Sequence, residues 1–132
     1  MTQTGITLFV GTDIVEVARI ERALSEWKMD FLQRVFTPGE IIKINADNPD
    51  HERAAGFWAA KESMVKALGS GFRHGIRFHD IEIIHDEYGC PHILLHGEAK
   101  KVLTKKGSAK ISLTISHCRT YAIAVVAVVT HN

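Results

Sequence analysis

The sequence predicts an α+β fold in a single domain, with a small antiparallel sheet packed against a long central helix. Three observations lead there. The patterned stretches run in the order strand, helices, then strands around one short helix, which segregates the two element types instead of alternating them. Lys110 to Ser116 alternates cleanly, with Ile111, Leu113 and Ile115 on one side and Ser112, Thr114 and Ser116 on the other, the period of a half-buried strand. Residues up to Leu68 carry apolar side chains at helical spacing and stop at Gly69. The 132 residues contain no linker, repeat or low-complexity segment, and 45% hydrophobic with 23% charged residues is ordinary for one soluble domain.

The elements follow in order. Ile6 to Val10 is a short apolar strand ending at Gly11, so Thr12 and Asp13 are expected at its C-terminal end. Glu16 to Trp27 is a helix with Val17, Ile20, Leu24 and Trp27 inward and Glu16, Arg19 and Arg22 largely outward. A second helical piece covers Phe31 to Val35. Thr37-Pro-Gly-Glu40 opens a third, with Thr37 as cap, Pro38 in the first turn and Glu40 completing a capping box. After the loop Asn45–Asp50, Pro49 starts the central helix, which runs to Leu68. Gly69, Gly71 and Gly75 make 69–77 a loop. Asp80–His85 and His92–His96 flank the turn Asp86–Pro91 as a hairpin, Glu98–Lys105 is a short helix, and Tyr121–Val129 is apolar on both faces, hence a central strand expected to be covered on both sides.

Composition excludes several classes. A net charge of +1 gives no electrostatic reason to expect nucleic acid. Cys90 and Cys118 lack metal or redox spacing and are too few for a disulfide framework, which fits a reducing cytoplasm. Met-Thr-Gln-Thr-Gly5 shows neither the basic region nor the cleavage site of a signal peptide, and the apolar run 121–129 is too short for a membrane-spanning helix. The expectation is a cytoplasmic protein without membrane contact.

Glu62 and Lys66 are four apart, so they share one face of the central helix, with Ala55 and Ala59 on the same stripe and Gly56 and Ser63 beside it. A carboxylate and an ammonium over small residues suit a metal and a phosphate; an i,i+4 ion pair on a solvated face suits the spacing equally. Asp13, where a strand meets a helix, is either a metal ligand or a helix cap. Together Asp13 and Glu62 could hold one hard cation, since magnesium takes one or two carboxylates and completes its shell with water and phosphate oxygens. Ser116-His117 is not a nucleophile–base pair, because neighbouring strand residues point apart. It either donates to a ligand or ends the strand. His92 and His96 have an H-x3-H spacing but no C-x2-C half-site, which argues against zinc. Arg73, His74 and Arg77, Arg19 with Arg22, and the lysines at 100, 101, 105 and 106 are basic clusters that either meet an anion or are solvated.

These pieces coincide in one pattern. Gly11-Thr-Asp-Ile-Val-Glu16, Trp58-Ala-Ala-Lys-Glu-Ser-Met-Val-Lys-Ala-Leu-Gly-Ser-Gly71, Gly89-Cys-Pro91 and Ser112-Leu-Thr-Ile-Ser-His117 occur in the order and spacing of the bacterial holo-(acyl-carrier-protein) synthases, short trimeric members of the 4′-phosphopantetheinyl transferase family, which the chain resembles over almost its whole length. The resemblance implies transfer of the phosphopantetheine arm of coenzyme A to a serine of acyl carrier protein, releasing adenosine 3′,5′-bisphosphate, in support of fatty acid biosynthesis. It implies Asp13 and Glu62 as magnesium ligands, with Lys66, on the coenzyme A phosphates, completing the catalytic set. Ser116 and His117 line the coenzyme A site, and Gly69, Gly71 and Pro91 are backbone positions near the nucleotide. Arg19 and Arg22 meet the acidic carrier protein. It also implies a homotrimer with sites at subunit interfaces, which the apolar 121–129 strand would motivate. Phe57 stands where many members carry a basic residue, and Arg53, one turn earlier, is the substitute this sequence offers.

Overall fold

The computed structural model describes residues 5–73 and 75–131. His74 of the basic loop, and the first four residues of the stretch read for a leader, lie outside them. The elements are β1 (Ile6–Glu16), α1 (Val17–Trp27), α2 (Met29–Val35), α3 (Pro38–Ile44), α4 (His51–Leu68), a 3-10 turn (Phe78–Asp80), β2 (Ile81–His85), β3 (Pro91–Leu95), α5 (Gly97–Lys105), β4 (Ser108–His117) and β5 (Tyr121–His131). The expected α+β architecture is present. Its strands, however, form two antiparallel sheets, a three-stranded one in the order β1-β5-β4 and the separate β2-β3 hairpin.

β1 is twice its expected length. It pairs with β5 from Ile6↔His131 to Glu16↔Tyr121, so Asp13, opposite Ala124, lies inside the strand and not at its end. The partner strand is more than a hundred residues away, and its ladder overrides the weak strand propensity of Gly11-Thr-Asp. Asp13 therefore does not cap α1; Glu16 occupies that position and makes no side-chain cap.

α4 lies at the centre, touching the large sheet, the hairpin and the other helices. It starts one residue after Asp50, whose Oδ1 accepts the Arg53 N–H at 3.0 Å, with Pro49 just ahead. The helix is buried on nearly every side, and past its first turn only Trp58, Glu62 and Lys66, spaced by four, stay accessible. A metal and a phosphate held over small residues would leave the stripe of Ala55, Ala59 and Ser63 accessible. All three are buried instead. The sheet lies on that side of the helix: Ser63 Oγ donates to the Ala124 carbonyl at 3.0 Å, and a Cβ on Gly11 would sit 1.8 Å from the Ser63 carbonyl oxygen. Small residues here bring helix and strand backbones close.

On the far side of α4, Trp58 stacks on Phe31 and packs against Phe78, with centroids 6.0 and 4.9 Å apart. Thr37 and Glu40 make the expected capping box. Trp27, expected inward, is 62% exposed, because α1 ends there at Lys28 with φ +48° and the chain turns into α2.

β5 is central, but only one of its faces is covered. Ala122, Ala124, Val126, Val128 and Thr130 are buried on the α4 side. On the other face Leu8, Val10, Ile14 and Ile123 are 60, 57, 63 and 40% exposed. That apolar face contradicts the expectation of a strand covered on both sides within this chain.

Candidate active site

Two groups of side chains form along α4. The first is built on Gly11. Because that residue has no Cβ, β1 lies directly on α4, and Asp13, two residues on and on the same strand face, reaches the helix. Lys66 Nζ sits 3.1 Å from Asp13 Oδ1 and donates to the Thr12 carbonyl at 3.0 Å. Lys66 thus pairs across to the strand and not with Glu62 one turn below, which sets aside the solvated i,i+4 pair. Glu62 is half-buried. Burial pushes its carboxyl above the usual range, and the charge of Asp13 pushes the same way, against Lys66 and Arg19. Two carboxylates therefore crowd around one ammonium, and that mutual repulsion is what a hard cation relieves. The donor set fits magnesium, which needs few protein oxygens. Among the described residues no group of three or more His, Cys, Asp or Glu side chains converges as a metal cage. His92 and His96 bond separately to Asp86 at 2.8 Å and Glu82 at 3.0 Å.

Beside this group α4 ends. Gly69 and Gly71 take φ of +81° and +61°, and a Cβ on either would meet nothing within 4 Å. Their requirement is conformational, and the backbone there is open. Arg19 and Arg22 are exposed on α1.

The second group lies toward the N-terminal half of α4. Arg53, Gly56, Phe57, His85, Gly89, Pro91, Ile115 and His117 enclose a cavity of about 190 Å³. Arg53, Pro91 and His117 thus come together at one cavity. Ser116 does not join them; it lies opposite Ile123, on the uncovered face of the sheet. Phe57 is buried and packs against the His85 ring at 5.8 Å, so the position often basic in the resembled family is here part of the cavity wall. Arg53 supplies a cation beside it, loosely held by Asp50 with 3.8 Å between Nε and Oδ2. Arg53 and Glu62 are about 13 Å apart along the helix axis, from the rise of an α-helix. Within one chain the two groups are therefore separate stations on the same helix.

Sequence reasoning missed three functional or supporting residues. His85 lines the cavity, and Glu52, which does not, has its Oε1 2.8 Å from Nδ1 of the cavity residue His117. Lys61 is fully buried with Glu40, 2.9 Å between Nζ and Oε1. Helical spacing puts Lys61 on the core face, four residues from both Phe57 and Val65, and that signal was readable.

Fold and site together define an α+β protein with a two-carboxylate, one-lysine cleft beside a basic cavity, an arrangement suited to a polyphosphate substrate. The profile of the 4′-phosphopantetheinyl transferase superfamily matches residues 9–126, and the chain belongs to that superfamily. It is similar to a holo-(acyl-carrier-protein) synthase of Thermoanaerobacter sp. (strain X514), 50% identical over 117 residues, 89% of this chain and 83% of that protein. Among solved structures it resembles the Helicobacter pylori holo-(acyl-carrier-protein) synthase in complex with coenzyme A, with TM-score 0.78 and 35% identity over 93% of this chain and 99% of that one. The Neisseria meningitidis enzyme has TM-score 0.82 and 32% identity over 91% and 96%.

Proposed function

We propose that this chain is a holo-(acyl-carrier-protein) synthase, transferring the 4′-phosphopantetheine group of coenzyme A to a serine of apo-acyl carrier protein and releasing adenosine 3′,5′-bisphosphate, a step that serves fatty acid biosynthesis. The observation that carries the reading is the convergence of Asp13, Glu62 and Lys66 from β1 and α4, next to the open backbone of Gly69 and Gly71. Asp13 and Glu62 would hold magnesium, whose contribution is to neutralise the pyrophosphate and offset charge developing on the leaving phosphate. Lys66, 54% exposed at its side chain, is free to swing from Asp13 to that phosphate. Positioning and charge neutralisation are what such transfers need. Arg53, Pro91 and His117 would receive the nucleotide end, while exposed Arg19 and Arg22 offer positive charge to an acidic carrier protein. The charge of Arg19 lowers the Glu62 carboxyl slightly, which supports a docking face near the carboxylates.

The uncovered sheet face supports a homotrimer. An apolar patch of this kind is typical of an interface, and Ser116 stands on it, where a neighbouring copy would reach. Both cysteines are free and exposed, in keeping with a cytoplasmic setting. Among the described residues no helix is long and apolar enough to cross a membrane.

The test mixes the protein with coenzyme A, magnesium and apo-carrier protein and follows the carrier's mass. Addition of one phosphopantetheine is expected. An unmodified carrier with intact coenzyme A defeats the reading, and coenzyme A breakdown without carrier modification indicates a hydrolase instead.

A further inference from the structure

The cavity beside α4 has two histidines on its wall, and they are held differently. His85 Nδ1 is buried without a hydrogen-bond partner. His117 Nδ1 lies 2.8 Å from Glu52 Oε1, a contact that joins the first turn of α4 to the last residue of β4 across 65 residues of sequence. Beyond His117 the β4-β5 turn begins, closed by the Cys118 N–H donating to the Tyr121 carbonyl at 2.8 Å. An imidazole at such a strand end, half-exposed, would otherwise rotate freely. An acid in the first turn of a helix is favoured by the macrodipole on its own, but that effect does not require contact with β4.

We propose that Glu52 is a positioning residue for substrate binding: it accepts the His117 Nδ1–H and so turns the ring to present Nε2, with Arg53, to a phosphate group of coenzyme A. The inference rests on the function proposed above. An ionised carboxylate can only accept, so the proton of the contact belongs to Nδ1 in both the neutral and the charged imidazole. Free imidazole exchanges between tautomers; one tied through Nδ1 does not, and its remaining nitrogen points away from Glu52. A second-sphere carboxylate of this kind orders a histidine before the ligand arrives, which lowers the entropic cost of binding. The cavity, about 190 Å³ and open on one side, is large enough for a phosphate group. Gly56 lets α4 and β4 lie close together at the cavity wall, since a Cβ there would sit 3.0 Å from Ile115 Cγ2.

The experiment compares Glu52→Ala, Glu52→Gln, His117→Ala and the Glu52→Ala/His117→Ala double variant. Steady-state transfer is measured alongside ¹⁵N NMR of the His117 ring in wild type and the Glu52 variants. Wild type is expected to show the Nδ1–H tautomer and Glu52→Ala to lose it. KM for coenzyme A should rise about tenfold in Glu52→Ala with kcat within about twofold, the scale of one charge-assisted hydrogen bond. Glu52→Gln, which keeps an accepting oxygen, should recover most of the loss, and Glu52→Ala should add nothing once His117 is gone. An unchanged tautomer, an unchanged KM, or a Glu52→Ala effect that persists in the His117→Ala background overturns the proposal. If wild type neither binds coenzyme A nor modifies carrier, the proposed function fails, and the NMR comparison still decides whether Glu52 holds His117.

Discussion

Two lysines on α4, five residues apart, each pair with a carboxylate, and the pairs have opposite characters. Lys61 and Glu40 are both 0% exposed. Lys61 Nζ spends its three protons on Glu40 and on the carbonyls of Phe78 and Ile81, while Glu40 also accepts the N–H groups of Thr37 at 2.8 Å and Ile83 at 2.7 Å. Burial pulls the Lys61 ammonium below its usual value, and Glu40 opposes the pull. Every donor is satisfied internally, so nothing is left for a ligand; the network ties α3, α4 and the hairpin together. Lys66 is half in solvent, bonded to Asp13 and the Thr12 carbonyl, with Glu62 crowded nearby. Within one Lys-Glu-x-x-x-Lys stretch, the first lysine belongs to the fold and the second stands in the proposed site.

Removing the buried pair's cation should give the largest effect. Lys61→Ala strands the Glu40 carboxylate in the core and is expected to cost about 3–5 kcal/mol, read as a drop in the urea midpoint. Lys61→Met with Glu40→Leu removes both charges but leaves the Thr37 and Ile83 N–H groups and the Phe78 and Ile81 carbonyls without these partners, so it should recover only part of that. A Lys61→Ala protein of unchanged midpoint would erase the distinction between the two pairs.

At the exposed site the effect should fall on turnover. Asp13→Asn and Glu62→Gln are each expected to lower kcat about 10²–10³-fold, the range for loss of one preorganised electrostatic group. Glu62→Gln should stabilise the fold slightly by removing repulsion with Asp13, and Asp13→Asn should cost no more than about 1 kcal/mol through the lost pair with Lys66. Full turnover in either variant with magnesium present would take that carboxylate out of the site. Lys66→Met ranks lower: no more than about 1 kcal/mol of stability, as for an exposed pair, and about a tenfold higher KM for coenzyme A. A stability loss matching that of Lys61→Ala would mean that both lysines are structural.

The same two lysines show how much the chain discloses before it is folded. Glu62 and Lys66 could be placed on one face by counting, Asp13 could be paired with Glu62 as a second carboxylate, and the resemblance joined all three. That Lys66 turns to Asp13 could not be seen, because it depends on β1 continuing past Gly11 along a partner 110 residues downstream. Ala55, Ala59 and Ser63 look alike in sequence whether a ligand or a strand lies on them; Gly11 was the clue, since only a missing Cβ permits that approach. Lys61 was on the core face by its spacing, but its burial makes sense only with the carbonyls of a 3-10 turn that no periodicity announces. Glu52 and His117 meet across 65 residues with no local signal at all. Helix faces, caps and the alternation of β4 are local and were legible; pairings between distant elements were not.

Glu82 stands between the two extremes, and it yields the smallest expected effect. It is at the rim of the Lys61 network, accepting from Thr37 Oγ1 at 3.0 Å and lying 3.0 Å from His96 Nε2, with its side chain 22% exposed. The His96 hydrogen bond foremost, then that of Thr37 and the nearby charges, hold its carboxyl below the usual value against a smaller opposing effect of burial. A folded-state value below the unfolded one means that the contribution to stability is fully present above the unfolded value, about 4.3, and is lost as pH falls through the folded one. Wild type should therefore lose under about 1 kcal/mol at this site on acidification below about pH 4.3, a part-exposed pair being partly screened. In Glu82→Gln that increment should be missing at neutral pH and the acid slope correspondingly shallower, read from urea midpoints across pH 3 to 7. If the two proteins keep parallel pH profiles, Glu82 belongs with the solvated surface, and the Lys61 network ends at Glu40.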